Sequence, residues 1–315
     1  MTDNYGRTIR YLRLSVTDLC PYRCIYCMPE CGVEKLEHSQ ILSVDECIEV
    51  AAACAGLGVT KVRLTGGEPL VRRGIVDICR GISAIDGIRE LCMTTNGLLL
   101  PEYAVQLKQA GVTRLNLSLD TLDAEKFRRI TRRGELREFY DGLKAAEEAG
   151  FENTKINCVL MGGINDDEIA ALAGLTRERD IELRFIELMP IGECAHWDSA
   201  RFIGGDAVLA ALPEAEPVGT SGVSRLYRLP GHRGRIGLIS PMSHKFCSAC
   251  DRIRVTADGR LKPCLHSPDE ISLRGLHGEE LTRALQQAIC AKPLSHHMDA
   301  LHASGSLRGM SRIGG

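Results

Sequence analysis

Apolar runs rich in Val, Ile and Leu recur through the first two thirds of the chain, at Tyr11 to Val16, Val59 to Leu64, Ile88 to Met93, Val112 to Leu117, Lys155 to Leu160 and Ile181 to Ile186. Their length and branched side chains predict six strands. Helical periodicity fills the intervals. The clearest helix opens at Ser43, with Glu46 completing a capping box, presents Cys47, Val50 and Cys54 on one face and runs to Gly56. Others are predicted after Gly74, Pro101, Asp123 and Asn165. Such alternation implies βαβ units and a parallel sheet buried on both faces. The predicted class is α/β, a partial (β/α)6 TIM-like barrel.

Loops at the carboxyl ends of such strands carry the chemistry. Here they read Thr17-Asp18-Leu19-Cys20 through Cys27, Gly66-Gly67-Glu68-Pro69, Thr94-Thr95-Asn96-Gly97, Ser118-Leu119-Asp120, Met161-Gly162-Gly163 and Glu187-Leu188-Met189-Pro190. Polar and glycine-rich sequence therefore gathers at one rim. Near Gly204 the rhythm gives way to Pro- and Gly-rich sequence, with a hairpin predicted from Arg252 to Val255 and Arg260 to Cys264 around Asp258-Gly259. The predicted division is residues 1–203, the barrel, and residues 204–315, a smaller region covering its open side. The tail from Ser304 to Gly315 reads as mobile and ends in Gly314-Gly315.

At 315 residues the chain can bury a sizeable core without disulfides, so its 14 cysteines need another explanation. Neither a leader-like segment nor a long uncharged apolar run is evident, which places the cysteines in a reducing cytoplasm as thiols. A formal net charge of -2 argues against nucleic acid or an anionic membrane as partner. Metal or cluster ligation is the leading account of the thiols.

Cys20, Cys24 and Cys27 form C-x3-C-x2-C directly after the first predicted strand. Three thiolates on a cubane cluster leave one iron open to an exogenous ligand. A structural zinc site favours C-x2-C pairs and four ligands instead. Cys247, Cys250 and Cys264 form a second set, C-x2-C-x13-C, and His266 can complete a Cys3His zinc site there. Spacing alone leaves iron and zinc both open at this second set. Arg252 and Arg254 alternate on the intervening strand and point to one face, which suits an anionic substrate beside the metal or, equally, a solvated basic edge strand. The other eight cysteines (Cys31, Cys47, Cys54, Cys79, Cys92, Cys158, Cys194 and Cys290) show no ligand-like grouping and read as small apolar residues. The histidines at 296, 297 and 302 read as solvated in a polar helical stretch.

The C-x3-C-x2-C loop followed by Gly66-Gly67-Glu68-Pro69 resembles the radical S-adenosylmethionine (SAM) superfamily. In bottom-up terms, the two glycines let backbone approach a ligand and the carboxylate suits an ammonium group. With Gly6-Arg7, Tyr11 to Asp18, Tyr26-Cys27-Met28-Pro29, Arg63 to Leu70, Thr94 to Gly97, Phe246 to Leu265 and the terminal Gly314-Gly315, the chain is similar to the branch of that superfamily that cyclises GTP at the start of molybdenum cofactor biosynthesis. It departs at Asp251, where Asn is more usual, and at His266, where a small or apolar residue is.

The resemblance implies two [4Fe-4S] clusters, at Cys20, Cys24 and Cys27 and at Cys247, Cys250 and Cys264. It implies contacts to SAM from Tyr26, Gly67, Ser118 and Met189, and contacts to GTP from Arg13, Arg63, Thr94, Lys155, Arg252 and Arg254. It gives Gly314 and Gly315 a place in turnover. The implied reaction removes hydrogen from ribose carbon 3′ with a 5′-deoxyadenosyl radical and joins that carbon to guanine carbon 8. The implied partners are a reducing electron donor and cyclic pyranopterin monophosphate synthase downstream, with a homodimer left open. No G-x4-G-K-[ST] run is present, so separate cations must hold the phosphates. Rival readings are a peptide-modifying radical SAM maturase, a redox or electron-transfer protein, and a zinc-stabilised nucleotide-binding protein.

Overall fold

The computed structural model describes residues 1–296, 298 and 303–314. Six parallel strands carry the first two thirds: β1 (Tyr11–Ser15), β2 (Lys61–Thr65), β3 (Glu90–Thr95), β4 (Arg114–Ser118), β5 (Lys155–Leu160) and β6 (Glu182–Glu187). Between them run α1 (Val44–Gly56), α2 (Ile75–Ser83), α3 (Leu100–Gln109), α4 (Ala124–Thr131), α5 (Leu136–Glu148) and α6 (Ile169–Ala173). This is the predicted partial barrel. Ser43 caps α1 as expected, its hydroxyl accepting from the Glu46 amide at 3.1 Å while the Glu46 carboxylate accepts from the Ser43 amide at 2.7 Å. Helix α5, which the sequence reading did not single out, opens with Glu135 and Glu138 in a second capping box and buries Phe139 and Leu143.

Beyond α7 (Gly205–Ala211) the chain adds strands to both ends of the same sheet. Strands β7 (Glu216–Ser221), β8 (Ser224–Arg228) and β9 (Arg235–Ile239) join by the pairing of β9 with β6. Strands β10 (Arg252–Val255), β11 (Arg260–Lys262) and β12 (Ile271–Ser272) join by the parallel pairing of β10 with β1. The sheet has twelve strands. The predicted hairpin is β10–β11, and α8 (Gly278–Cys290) then packs against α1 before the short α9 (Met310–Ile313).

The strands are not apolar on both faces. Leu12 and Leu14, Val62 and Leu64, Leu115 and Leu117, and Leu183 and Phe185 are buried in the core shared with the helices. The alternate positions, Arg13, Arg63, Asn116, Asn157 and Arg184 among them, turn to the barrel interior and line a cavity. The parallel-sheet rule of two apolar faces fails here because the inner face surrounds a binding site instead of a packed core.

Candidate active site

Local geometry builds the first cysteine loop. It is lashed to α4: the amides of Arg23 and Ile25 donate to the carbonyls of Thr131 and Ile130, each at 2.9 Å, and the Arg132 guanidinium donates to Met28 O at 3.0 Å. The Gly66-Gly67 segment then lies against the backbone leading to Cys20. Gly67 N donates to Thr17 O and Glu68 N to Leu19 O, both at 2.8 Å. A Cβ on Gly66 would stand 2.5 Å from Thr17 O, and one on Gly67 would stand 2.7 Å from Asp18 O. The glycines thus serve the approach of two loops to each other.

Glu68 also differs from its expected part. It is buried, and its oxygens accept from Thr95 Oγ1 at 2.7 Å, Asn96 N at 2.7 Å and Leu70 N at 3.1 Å. It braces the β2 and β3 loops. Burial raises its carboxyl to about 7 against those hydrogen bonds.

Cys20, Cys24 and Cys27 all open into one cavity of about 510 Å³. Burial, with Glu68 close by, pushes the Cys20 thiol up to about 12; burial, with Cys20 close by, does the same for Cys27; burial and the neighbouring Cys27 raise Cys24. Three thiols so placed ionise only beside strong positive charge, so their donor chemistry fits an iron cluster. Cys194 lies near Cys27 but its thiol donates to Met189 O at 3.1 Å and Ile191 O at 3.3 Å, which leaves the set at three. Tyr26 donates its hydroxyl to the buried Asp120 at 2.8 Å, and Asp120 also accepts from Val159 N at 2.8 Å. Gly67, Ser118 and Met189 line the same cavity.

Part of the cavity wall is cationic. Arg13 from β1, Arg63 from β2, and Arg252 and Arg254 from β10 all line it. Among the described residues none of the four pairs with a carboxylate. Arg63 Nε donates to Tyr11 Oη at 2.5 Å, the Arg252 guanidinium stands 5.6 Å over the Tyr11 and Phe246 rings, and Arg13 Nε and Arg252 Nε are buried without partners. Burial and the charges of Arg13 and Arg252 hold Arg254 well below its ordinary range. Burial raises the Tyr11 hydroxyl, but the charges of Arg63, Arg13, Arg252 and Lys61 outweigh it and bring the group down to about 7. Unpaired buried cations are costly, so this wall is built for an anion.

Lys155 is buried, and its ammonium donates to Glu182 at 2.6 Å, with Arg184 on that carboxylate's other oxygen at 2.5 Å. Burial, then the charge of Arg184, lowers Lys155 to about 8. Thr94 Oγ1 accepts from Arg63 Nη1 at 3.3 Å.

Cys247, Cys250 and Cys264 line the cavity beside Arg252 and Arg254. Long-range contacts hold them. Arg7, ion-paired with Asp3 at 2.6 Å, donates to Cys247 O at 2.9 Å and Pro293 O at 2.8 Å; the Lys292 ammonium donates to Arg252 O at 2.8 Å and Pro263 O at 2.9 Å. The ring of His266 lies 4.9 Å edge-on from that of His296. His296 is buried and hydrogen-bonded to Pro241 O at 3.1 Å, in an irregular segment after α8, which corrects its reading as a solvated helical residue. His297, His302 and Gly315 lie outside the described residues. Of the eight remaining cysteines, Cys31 is exposed and Cys290 half-buried, against the apolar reading; the other six are buried.

Arg308 fastens the tail, with both nitrogen edges on Asp258 and Glu270 at 2.7–3.0 Å. Gly314 then sits with φ +81° against Ser15 and Thr65, and its carbonyl accepts from Arg254 Nη1 at 2.7 Å and Arg13 Nη2 at 3.4 Å.

Sequence reasoning missed Tyr11, Lys61, Asn116, Asn157, Asp120 and Arg184 as members of the site. Their signal was present: polar residues recur at every second position of strands otherwise apolar, as in Tyr11-Leu12-Arg13-Leu14-Ser15.

Comparison with known proteins agrees with this geometry. Residues 14–176 match the Radical SAM superfamily and residues 181–298 match Molybdenum Cofactor Synthesis C. Over its whole length the chain is 46% identical to the GTP 3′,8-cyclase of Alkaliphilus oremlandii, covering 100% of that protein. It is 47% identical to the one from Geobacter sulfurreducens, covering 99%. Among solved structures, SAM-bound Streptococcus suis SuiB shares the fold at TM-score 0.63 and 14% identity, over 89% of this chain and 68% of that one.

Proposed function

Since the chain belongs to the GTP 3′,8-cyclase family of radical SAM enzymes, we propose that its cavity holds SAM at the first cysteine set and GTP against the arginine wall. Carbon 3′ of ribose is joined there to carbon 8 of guanine, which opens molybdenum cofactor biosynthesis. One observation carries the assignment of the site: both three-cysteine sets and four arginines that have no carboxylate partner among the described residues open into the same cavity. Cys20, Cys24 and Cys27 would hold the cluster that, with SAM bound, would supply radical chemistry to this cavity.

The chain's own residues bind and orient. Arg13, Arg63, Arg252 and Arg254 neutralise the nucleotide, and Lys155 and Thr94 reach it from β5 and β3. Tyr26, Gly67, Ser118 and Met189 frame SAM at the rim. Cys247, Cys250 and Cys264 hold a second cluster on the substrate side. Gly314 brings slim backbone to Arg13 and Arg254, where a side chain would crowd the ligand, and Gly315 shares its part in turnover by resemblance. Residues 1–203 thus generate the radical while residues 204–315 complete the pocket and exclude water. In this reading a reducing donor feeds the first cluster, the setting is the cytoplasm, and cyclic pyranopterin monophosphate synthase takes the product.

The test is anaerobic turnover with SAM, GTP and dithionite. GTP-dependent 5′-deoxyadenosine together with a 3′,8-linked dihydroguanosine triphosphate supports the reading. Deoxyadenosine formation indifferent to GTP, with no cyclised nucleotide, would refute it.

A further inference from the structure

Two amides on the inner face of the barrel line the site without a role assigned so far. Asn116 on β4 and Asn157 on β5 both line the cavity, and the carbonyl oxygen of each is buried with no hydrogen-bonding partner among the described residues. A buried polar group left unpaired costs free energy, and a native cavity that keeps two of them side by side is shaped for a ligand that satisfies them.

Their height in the barrel identifies which part of a ligand that is. Asn116 stands two residues before Ser118 and two after Arg114, and pairs across the ladder with Thr94 and Lys155. Asn157 stands two residues after Lys155, and pairs with Ser118 and Arg184. Two residues of strand rise by about 6.6 Å. Asn116 is therefore level with Lys155 near the charged end, and Asn157 one step along, level with Ser118 at the rim that leads to the first cysteine loop, so the two amides together span the passage between the two. A phosphate would seek the cations below. A neutral group with hydroxyls suits the amides, because an amide both donates and accepts, as a hydroxyl does.

We propose that Asn116 and Asn157 hydrogen-bond the two ribose hydroxyls of the bound nucleotide, one each, and so select a ribonucleotide over its deoxy analogues. This rests on the reading of the cavity as a GTP site. It adds that the sugar is fixed by strand side chains across the step from the phosphate-binding cations to the radical source.

The test measures dissociation constants of GTP, 2′-deoxy-GTP and 3′-deoxy-GTP on cluster-loaded protein, for wild type, Asn116→Leu and Asn157→Leu. Wild type is expected to bind GTP about tenfold tighter than either analogue. Each leucine variant is expected to lose that preference against one analogue and keep it against the other. A packing role alone would weaken all three nucleotides by one common factor and leave the ratios unchanged, which would overturn the proposal. Retained iron content and SAM binding report that the variants fold. Should a variant not fold, the wild-type series decides: equal affinity for the three nucleotides overturns the proposal while leaving the GTP site standing. No binding of GTP to wild type would instead bring down the reading on which it rests.

Discussion

The two cysteine sets are equal in number and differ in how their ligands are spread along the chain. Cys20, Cys24 and Cys27 lie within eight residues on one loop, which the end of α4, the Gly66-Gly67 backbone and the end of β1 hold in place. Cys247, Cys250 and Cys264 depend on Arg7 near the amino terminus, Lys292 after α8 and the pairing of β10 with β1. The ligands of the first site are therefore local in sequence, although Arg132, one of the groups that fasten them, lies 104 to 109 residues away. The second exists only once the whole chain has folded, and it brings the arginine wall with it.

Cysteine substitutions break this contrast most severely. Cys24→Ala is expected to abolish both SAM cleavage and nucleotide cyclisation, whereas Cys264→Ala abolishes cyclisation and leaves some 5′-deoxyadenosine formation, read by chromatography of both products. Total loss of SAM cleavage in Cys264→Ala with the first cluster intact would contradict the division of labour. Next is Arg7→Ala, which strands the fully buried Asp3 carboxylate. A loss of about 3 kcal/mol in denaturant unfolding is expected, with selective loss of metal from the second set. Arg254→Ala is expected to raise the Kd for GTP roughly thirtyfold, about 2 kcal/mol, without altering SAM binding.

The smallest effect is that of pH. The Tyr11 hydroxyl near 7 and the Lys155 ammonium near 8 both lose a proton as pH rises, so the free site becomes less positive. GTP should bind several-fold more weakly at about pH 9 than at about pH 6.5, and Lys155→Arg should flatten the upper part of that slope. A Kd independent of pH would contradict the charge assigned to this wall.

The same contrast explains what was legible in the sequence. The strands, the α1 capping box, the β10–β11 hairpin and the first cysteine loop are short-range features, and each stands where periodicity and spacing put it. The polar inner face was visible as alternation in Tyr11, Arg13 and Ser15, but the rule that parallel strands are apolar on both sides masked it. Glu68 reads from a motif as a ligand to an ammonium group; only the fold reveals that Thr95 and Asn96 occupy it. Arg7, Lys292 and Arg308 carry no local signal, because their partners lie about 240, 40 and 50 residues away in the chain. His296 looked solvated by composition and is buried by tertiary contact with Pro241.

The most direct test of the account is the iron, zinc and acid-labile sulfide content of wild type and Cys264→Ala after reconstitution without oxygen. Two clusters serving one cavity predict about eight iron and eight sulfide in wild type, falling to about four of each in the variant. About four iron and one zinc in wild type would contradict it, leaving the radical source intact and the substrate side a structural zinc site.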